Sequence, residues 1–430
     1  MKQISSKNMA GIVCRTLNHV DERLVDHGIR VAYIVLKMLE AEGISDQKRI
    51  RDLCFLTMVH DVGAYKTEEI NDMVQFETGN VWNHSIYGYL FLKYLSPFSE
   101  LSSVILFHHT DYEKLIRIPD LQSDIIKWAQ IVNLADRMDV CMQTGEVKDI
   151  TSFLERFREK KFSSEVVDLF LNVEKKDHVL ENLRRNHEEK LNISKEVFMS
   201  LGNPSYAKEE IDTYLKMIVY AIDFRSPFTV IHTITTTSIS RELAVLMDLD
   251  ENQVTQIYYG ALLHDLGKIG IPVEILEYPG KLSPQAMKIM KTHVNITEEI
   301  MNGEIEPVVA KIAIRHHEKL DGSGYPRGLK SDDLTLSERI VAIADIVSAL
   351  YGRRSYKEAF GKEKIVGILS EMKENGLLCY QTVDIMIKHF DEIMENVRNT
   401  CKPVLEVYDH MNIEYTELCK ICQKNYRRGC

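Results

Sequence analysis

The chain has 430 residues, of which 45% are hydrophobic and 27% are charged, a composition that excludes a wholly disordered protein and leaves room for two domains. Its 64 acidic residues outnumber its 53 basic ones, and the net charge of −11 argues against a protein that binds duplex DNA or RNA through its phosphates. No apolar run reaches the roughly 18–20 residues that span a bilayer, and the first residues lack the apolar core of a signal peptide. We therefore expect a cytoplasmic protein, with cysteines that are not laid out as a disulfide framework.

Apolar residues recur at helical spacing along most of the chain. Two examples are residues 30–39 (RVAYIVLKML) and residues 253–263 (QVTQIYYGALL), where apolar side chains stand three and four positions apart. Alternating stretches typical of β-strands are scarce, and Gly and Pro concentrate in a few short segments such as DGSGYPRG. The pattern predicts an all-α protein with short, specialised loops in its second half.

Residues 151–205 differ from the rest because they combine many charges with apolar residues at helical spacing. This pattern predicts solvated helices that connect two domains, and the alternative is a helix that binds a partner protein or pairs two copies of the chain in a homodimer. Gly202, Asn203 and Pro204 mark the following boundary. We divide the chain into a first domain, a connector, a second domain and a cysteine-containing tail, over residues 1–150, 151–205, 206–400 and 401–430.

Ten of the fifteen histidines follow one ordered pattern that occurs twice. A single His is followed by a His-Asp pair, a single His, a His-His pair and a single Asp. The steps between these features are 33, 24, 24 and 28 residues in the first half and 32, 29, 23 and 29 in the second, which indicates an internal duplication. The first copy comprises His27, His60, Asp61, His84, His108, His109 and Asp136. The second copy comprises His232, His264, Asp265, His293, His316, His317 and Asp345.

Imidazole and carboxylate together are the ligands that Fe, Mn, Zn and Ni favour, whereas Ca and Mg favour oxygen ligands alone. Each copy has more ligands than one four-coordinate ion needs. The set fits two ions that share a carboxylate, an arrangement that clamps a phosphate and stabilises its attacking and leaving oxygens. The alternative is ordinary core or surface histidines, and a duplicated first site can keep its ligands yet lose its substrate pocket.

These residues resemble the HD-domain superfamily of metal-dependent phosphohydrolases, and the second half resembles its HD-GYP branch. Three motifs carry the resemblance: Ala261–Pro272 around the His-Asp pair, His316–Pro326 with the sequence HHEKLDGSGYP, and Arg339–Asp345. The resemblance implies tandem all-α bundles joined by the charged helical connector. It also implies that the second domain hydrolyses a cyclic dinucleotide to a linear dinucleotide at a site of two or three iron or manganese ions. The expected substrate is chiefly cyclic di-GMP, with 3',3'-cyclic GMP-AMP as the alternative.

The resemblance assigns a role to individual residues of the second half. One ion would be bound by His232, His264, Asp265 and Asp345. The other ion would be bound by the same Asp265, as a bridge, and by His293, His316 and His317. Lys268 matches a lysine that contacts the phosphate, where a compact point charge suits a phosphate oxygen. The candidate substrate contacts are Lys268, Tyr325, Arg354 and Lys357.

Three departures from the family pattern bear on these assignments. Some members carry a Glu four residues before the first His that supports a third ion, and Phe228 stands there, which favours two ions. The first half resembles the superfamily only, because Ala64 replaces the phosphate lysine and no GYP signature follows His109. Two alternatives stay open for it: a second phosphohydrolase that dephosphorylates the linear product, and a regulatory or dimerising domain stabilised by metal.

Two further alternatives concern the second half and the tail. The second half can act as a receptor or scaffold that binds a cyclic dinucleotide without hydrolysis. The candidate protein-binding surfaces of the chain are the GYP loop, which lies within His316–Pro326, and the connector helices. Cys419 and Cys422 form one C-x2-C pair, which is compatible with structural zinc and equally with free thiols on a terminal helix.

Overall fold

The computed structural model describes residues 6–19, 26–64, 82–145, 147, 149–184, 187–202, 208–223, 227–278, 280–352 and 360–427. These residues form helices, short 3-10 turns and loops, and no β-strand occurs among them. The predicted all-α class is confirmed. The chain divides into two compact units, one running from Ser5 to Tyr214 together with the tail from Met411 onward, and the other running from Leu215 to His410.

The first unit has eleven helices of its own among the described residues. They are Ser6–Asn18, His27–Ala41, Gln47–Met58, Trp82–Leu95, Ser102–Phe107, Tyr112–Leu115, Ser123–Thr144, Ile150–Phe157, Ser164–Asp177, Val179–Arg184 and His187–Ser200. The helices His27–Ala41 and Ser123–Thr144 pack against each other, and their side chains are buried along most of their length. These two helices form the core on which the others assemble.

The second unit has a similar organisation. Its helices are Pro227–Leu246, Glu251–Leu263, Val273–Leu276, Pro284–Met290, His293–Met301, Pro307–Ile314, Leu336–Tyr351, Lys362–Glu374 and Tyr380–Lys388. The helices Pro227–Leu246 and Leu336–Tyr351 pack against each other at its centre. Two more helices, Lys208–Asp223 and Phe390–Arg427, contribute residues to both units.

Side-chain caps fix where several of these helices begin. The Asp46 carboxylate accepts hydrogen bonds from the backbone N–H groups of Lys48 and Arg49. Asp250 and Thr335 each take part in a capping box with the residue three positions later. Such caps satisfy the backbone N–H groups that a first helical turn leaves unpaired, so helix starts are encoded locally.

The segment 151–205 differs from the expected solvated connector. Its helices Ser164–Asp177 and His187–Ser200 pack on the helix His27–Ala41 of the first unit. Phe170 and Val197 are completely buried there. Lys175 and Lys176 remain exposed on the first of these helices, while its apolar face contributes to the core of the first unit.

The tail also adds to the first unit, through the end of the helix Phe390–Arg427. The Glu414 carboxylate accepts hydrogen bonds from Lys93 Nζ at 2.7 and 2.9 Å and from the Tyr94 hydroxyl at 2.7 Å. The Tyr415 ring stacks on Tyr87 with the centroids 4.0 Å apart. Lys93, Tyr94 and Tyr87 all lie on the helix Trp82–Leu95, so this helix is covered by residues more than 300 positions away in sequence.

The stacked pair gives a test of this packing. We expect a double-mutant cycle of Tyr87→Ala and Tyr415→Ala, measured by urea unfolding, to give a coupling energy of about 0.5–1.5 kcal/mol, as for other stacked aromatic pairs. Tyr278, which is 50% exposed in the second unit, provides the control, and a cycle of Tyr87→Ala with Tyr278→Ala should be additive. Additivity of the Tyr87 and Tyr415 substitutions would contradict the packing described here.

Candidate metal centres

The predicted ligands of each copy come together in one cluster per unit. In the second unit, His232 and Asp345 lie within the two central helices, and His264 and His316 stand one and two residues after the ends of two others. His293 is the first residue of its helix. These residues are buried or half-buried, and their ligand atoms face one another. The cluster therefore depends on the packing of several helices rather than on one loop.

Asp265 stands between two groups of ligands in the second unit. Its Oδ2 atom lies 3.3 Å from His232 Nε2 and 3.0 Å from His264 Nε2. Its Oδ1 atom lies on the other side, 3.5 Å from His293 Nε2. Each carboxylate oxygen thus faces a separate group, and this is the geometry that a bridging ligand between two cations requires.

Asp345 closes the same cluster. Its Oδ1 atom lies 3.2 Å from His232 Nε2, and its Oδ2 atom lies 3.6 Å from His317 Nδ1. Two groups result that can each hold a metal ion: one contains His232, His264 and Asp265, and the other contains His293, His316 and His317.

The first unit repeats this arrangement around Asp61. The Oδ2 atom of Asp61 lies 3.5 Å from His27 Nε2 and 3.3 Å from His60 Nε2. Its Oδ1 atom faces His84 and His108 at 3.9 and 3.8 Å. The two candidate groups are His27 with His60 and Asp136, and Asp61 with His84, His108 and His109.

Backbone carbonyl groups orient five of these ten imidazole rings. In the second unit, Nδ1 of His264, His293 and His316 lies 2.6–2.7 Å from the carbonyl oxygen three residues earlier. Nδ1 of His60 and of His108 makes the same contact in the first unit. A carbonyl oxygen only accepts hydrogen bonds, so the proton is on Nδ1 and the Nε2 lone pair points into the cluster.

This local geometry follows from the ends of the helices. The last carbonyl groups of a helix have no partner within the helix. A histidine placed just after the end, such as His264 after Leu263, reaches one of these carbonyls with its own ring. The helix terminus thus fixes both the tautomer and the direction of the ligand.

The donor set fits cations. His264 Nε2 and His232 Nε2 lie 3.3 Å apart, and His293 Nε2 and His316 Nε2 lie 3.5 Å apart, so lone pairs face each other without a proton between them. In the first unit, four buried cluster atoms have no hydrogen-bond partner among the described residues: His60 Nε2, His108 Nε2, His109 Nε2 and Asp61 Oδ1. Burying such atoms without a partner costs roughly 1–3 kcal/mol each, which a bound cation would offset.

The pKa values of the second cluster shift in different directions. Burial by itself would lower the pKa of His232, but hydrogen bonds to carboxylates outweigh burial and raise it. Burial holds the pKa of His316 well below its usual value and lowers the pKa of His317 to about 3, so both rings are neutral at pH 7 and can bind a metal ion. Burial by itself would raise the pKa of Asp265, but the neighbouring His264 and Lys268 hold it well below its usual range. The bridging carboxylate is therefore ionised.

A glycine lets the His-Asp segment approach the helix that carries the next ligand. A Cβ atom on Gly267 would lie 1.9 Å from the carbonyl oxygen of His293, and one on Gly63 would lie 2.0 Å from that of His84. In the second unit the Thr297 hydroxyl strengthens this contact, because it accepts a hydrogen bond from the Gly267 N–H at 2.9 Å. Glycine is required at both positions by close backbone approach.

Some of the predicted catalytic and substrate-binding residues lie in the described part of the chain, and others do not. The Lys268 ammonium forms an ion pair with the Asp265 carboxylate at the cluster. The Tyr325 ring lies 4.6 Å from the His317 ring. Arg354 and Lys357 lie outside the described residues, as does the side chain of Phe228.

The GYP loop is anchored by a residue that sequence reasoning did not single out. The Glu318 carboxylate, which is 2% exposed, accepts hydrogen bonds from the backbone N–H groups of Arg327 at 2.8 Å and Leu329 at 2.9 Å. Gly324 is in close contact with the backbone of Glu318, and Gly322 has a φ of 86° in the left-handed region. The only signal in the sequence is the position of this glutamate directly after the His-His pair.

Two lysines near the cluster were also missed. Lys291 Nζ lies 4.5 Å from the centre of the Tyr325 ring. Lys319 is half-buried, and burial lowers its pKa. Both stand within two residues of a predicted ligand, His293 or His317, and this adjacency is the signal that could have found them.

Both halves of the chain are similar in sequence to a known domain family. Profiles of the HD domain match residues 24–141 and residues 216–377. Both halves of the chain are HD domains. The chain belongs to the HD-domain superfamily, whose members bind divalent metal ions, and the two clusters described above are its candidate metal sites.

Two curated relatives illustrate how far the similarity extends. A 3'3'-cGAMP-specific phosphodiesterase 1 of Vibrio cholerae is 27% identical over 397 residues, which cover 88% of this chain and 90% of the relative. A cyclic di-GMP phosphodiesterase of Thermotoga maritima is 42% identical over 146 residues, which cover 33% of this chain and 40% of that protein. The first alignment therefore spans most of both chains.

A solved structure has the same fold. The crystal structure of a cyclic GMP-AMP specific phosphodiesterase of Vibrio cholerae superposes with a TM-score of 0.59 at 18% sequence identity, covering 90% of this chain and 98% of that chain. This similarity supports the all-α fold. Among the described helices, none combines the length and the apolar composition needed to cross a membrane.

The thiols of the tail give no geometry for zinc. The Cys419 Sγ atom lies 3.9 Å from Asn83 Oδ1 of the first HD domain, and the side chain of Cys422 lies outside the described residues. Among the described residues, the groups able to hold a metal ion are the His and Asp clusters alone. The zinc site stays a prediction.

The Gly267 contact provides a test of how the second centre is positioned. We expect Gly267→Ala to lower the free energy of unfolding by about 1–3 kcal/mol and to reduce bound metal, because its Cβ atom collides with the backbone at His293. Gly367, in the interior of the helix Lys362–Glu374, has nothing near its Cβ position. Gly367→Ala should therefore be neutral or stabilising by up to about 1 kcal/mol. Equal stability and equal metal content in the two variants would contradict this view of the site.

Proposed function

We propose that the second HD domain hydrolyses a cyclic dinucleotide, cyclic GMP-AMP or cyclic di-GMP, to the linear dinucleotide in a metal-dependent reaction. The observation that carries the proposal is the placement of Asp265, whose two carboxylate oxygens face two separate groups of histidines. A buried carboxylate shared in this way suits a pair of divalent ions acting on one phosphodiester.

Each residue has a distinct task in this proposal. His232, His264 and Asp345 would hold one ion, His293, His316 and His317 would hold the other, and Asp265 would be shared between them. When bound, the ions supply Lewis acidity and an activated water molecule. Lys268 steadies a phosphate oxygen by its positive charge, next to the bridging carboxylate with which it pairs.

The substrate class is supported by the surroundings of the cluster and by the relatives. The aromatic face of Tyr325 beside His317 suits a nucleobase, and Lys291 adds positive charge on the same ring. Relatives with this domain are phosphodiesterases of 3'3'-cGAMP or of cyclic di-GMP. Arg354 and Lys357 remain predicted substrate contacts.

We propose iron or manganese as the resident metals. The ligand set mixes imidazole with carboxylate and contains no thiolate, and such a set favours these ions over calcium or magnesium. The proposed reaction belongs to the cytoplasm, as predicted from the sequence. A protein partner at the GYP loop or at residues 151–205, and a homodimer, stay predictions.

For the first HD domain we propose a metal site that does not cleave cyclic dinucleotides. It brings its ligands together around Asp61, but buried Ala64 stands in place of the phosphate lysine. The alternative is that this domain removes phosphate from the linear product, and the complete ligand set is compatible with that activity. Release of inorganic phosphate from the linear dinucleotide would support this alternative.

One experiment tests the function as a whole. The full chain is purified without air, its metals are counted, and it is incubated with each cyclic dinucleotide while the products are followed by chromatography. We expect bound metal and a linear dinucleotide. Tight binding of the cyclic dinucleotide without any turnover would replace the enzyme by the receptor alternative, and absence of metal would contradict the ligand assignment.

Asp265 gives the sharpest single substitution. We expect Asp265→Ala to lower kcat by more than about 100-fold and to reduce the metal count, because both groups of ligands lose their shared carboxylate. Asp391, which is 79% exposed on the same unit, provides the control, and Asp391→Ala should retain activity and metal. Full activity of Asp265→Ala would contradict the assignment of the site.

Lys268 separates phosphate binding from metal binding. We expect Lys268→Ala to reduce kcat by about 100- to 1,000-fold with an unchanged metal count, because a charge that stabilises the transition state is lost. Lys268→Arg keeps the charge and should recover part of the rate. Loss of metal from Lys268→Ala would assign this lysine a structural task instead.

A further inference from the structure

The first histidine of each cluster is oriented by a side chain rather than by a backbone carbonyl. In the first HD domain, His27 Nδ1 lies 2.7 Å from Asp139 Oδ2. In the second, His232 Nδ1 lies 2.9 Å from Ser348 Oγ. Neither Asp139 nor Ser348 is a predicted ligand, and both are almost completely buried.

These two side chains occupy equivalent positions. Asp139 stands three residues after Asp136, and Ser348 stands three residues after Asp345. Each is therefore one helical turn beyond the aspartate that closes its cluster. The duplication has kept the contact and changed its chemistry, from a carboxylate in the first domain to a hydroxyl in the second.

Both contacts fix the same tautomer. The Asp139 carboxylate only accepts hydrogen bonds, so Nδ1 of His27 carries the proton. The Ser348 hydroxyl donates its one hydrogen bond to the carbonyl oxygen of His232 at 3.0 Å, so its oxygen accepts a hydrogen bond from Nδ1 of the same residue. The Nε2 lone pair faces the cluster in both domains.

The two partners differ in how strongly they polarise the imidazole. The Arg30 guanidinium donates from Nε to Asp139 Oδ1 at 2.6 Å and from its terminal nitrogen to Oδ2 at 3.0 Å, which keeps the carboxylate ionised and fixed in place. The position equivalent to Arg30 in the second domain is Thr235, three residues after His232. An ionised partner makes a histidine a stronger donor to a metal than a neutral hydroxyl does.

We infer that Asp139 and Ser348 are equivalent positioning residues for the first metal-binding histidine, and that the Asp139–Arg30 pair makes the first HD domain hold its metal more tightly than the second. This inference rests on the proposed assignment of His27 and His232 as ligands.

The test uses the metal alone on the full chain. Metal-free protein is titrated with Mn²⁺, and the free ion is measured by electron paramagnetic resonance. We expect a tight and a weak class of sites. Ser348→Ala should weaken the weak class by about 10- to 100-fold, whereas Ser348→Thr should retain its affinity. Ser240→Ala is the matched control, because this buried serine on the His232 helix has no hydrogen-bond partner for its hydroxyl among the described residues.

The contribution of the Asp139–Arg30 pair is tested by introducing the equivalent residues of the second domain. The double variant Arg30→Thr with Asp139→Ser reproduces Thr235 and Ser348 and removes both members of the Asp139–Arg30 ion pair together. We expect it to weaken the tight class by about 10- to 100-fold and to leave the weak class unchanged. Retention of the tight class in this variant would overturn the inference, and so would an unchanged weak class in Ser348→Ala.

Two further measurements distinguish failure of this inference from failure of the proposed function. Melting of the metal-free variants, followed by circular dichroism, should match the wild type, so that a change in affinity reports on the ligand and not on folding. His27→Ala and His232→Ala should each remove affinity from one class. If they do not, the ligand assignment is wrong and the proposed function fails with it; if only the Asp139 and Ser348 variants have no effect, the inference alone is wrong.

Discussion

One aspartate in each HD domain, the half-buried Asp61 or the buried Asp265, faces two groups of histidines with its two oxygens. A carboxylate taken out of water is stable only when cations or strong donors surround it. The ligands that surround Asp265 come from separate helices, so those helices must pack in one register for the charge to be satisfied. The candidate metal centre and the helical bundle therefore depend on each other.

The ends of helices supply much of the required precision. Nδ1 of His264 and of His316 bonds to a carbonyl that the preceding helix leaves unpaired, which aims Nε2 at the cluster. Gly267 then allows the His-Asp segment to lie directly against the next helix. Backbone groups thus orient these side chains with little freedom, which suits a site that must hold two ions in fixed positions.

The two domains use one scaffold with different surroundings. Lys268 adds positive charge beside the second cluster, and buried Ala64 stands at the same place in the first. Glu318 holds the GYP loop against the second cluster through two backbone N–H groups. These differences concern groups around the ligands and leave the ligand sets equivalent, which agrees with a duplication followed by specialisation of one copy.

Some of this could be predicted because it depends on residue type and order. The all-α class follows from helical spacing of apolar residues, and the two ligand sets follow from a repeated order of His and Asp, as exemplified by His60-Asp61 and His264-Asp265. The same patterns gave a wrong expectation for residues 151–205. Their charge predicted solvated helices, but Phe170 is buried in the first unit. Amphipathic spacing indicates that an apolar face exists and does not indicate what covers it.

The amino-acid sequence by itself determined which side chains can bind metal, because imidazole and carboxylate carry that chemistry wherever they stand. The tertiary structure alone decided that Ser348 and Asp139 orient the first histidines and that Tyr415 covers Tyr87. Each of these contacts joins residues far apart in the chain, across helices whose distance and rotation no local pattern specifies. The physical reason is that hydrogen bonds and ion pairs act over a few ångströms, a scale set only by packing of the whole domain.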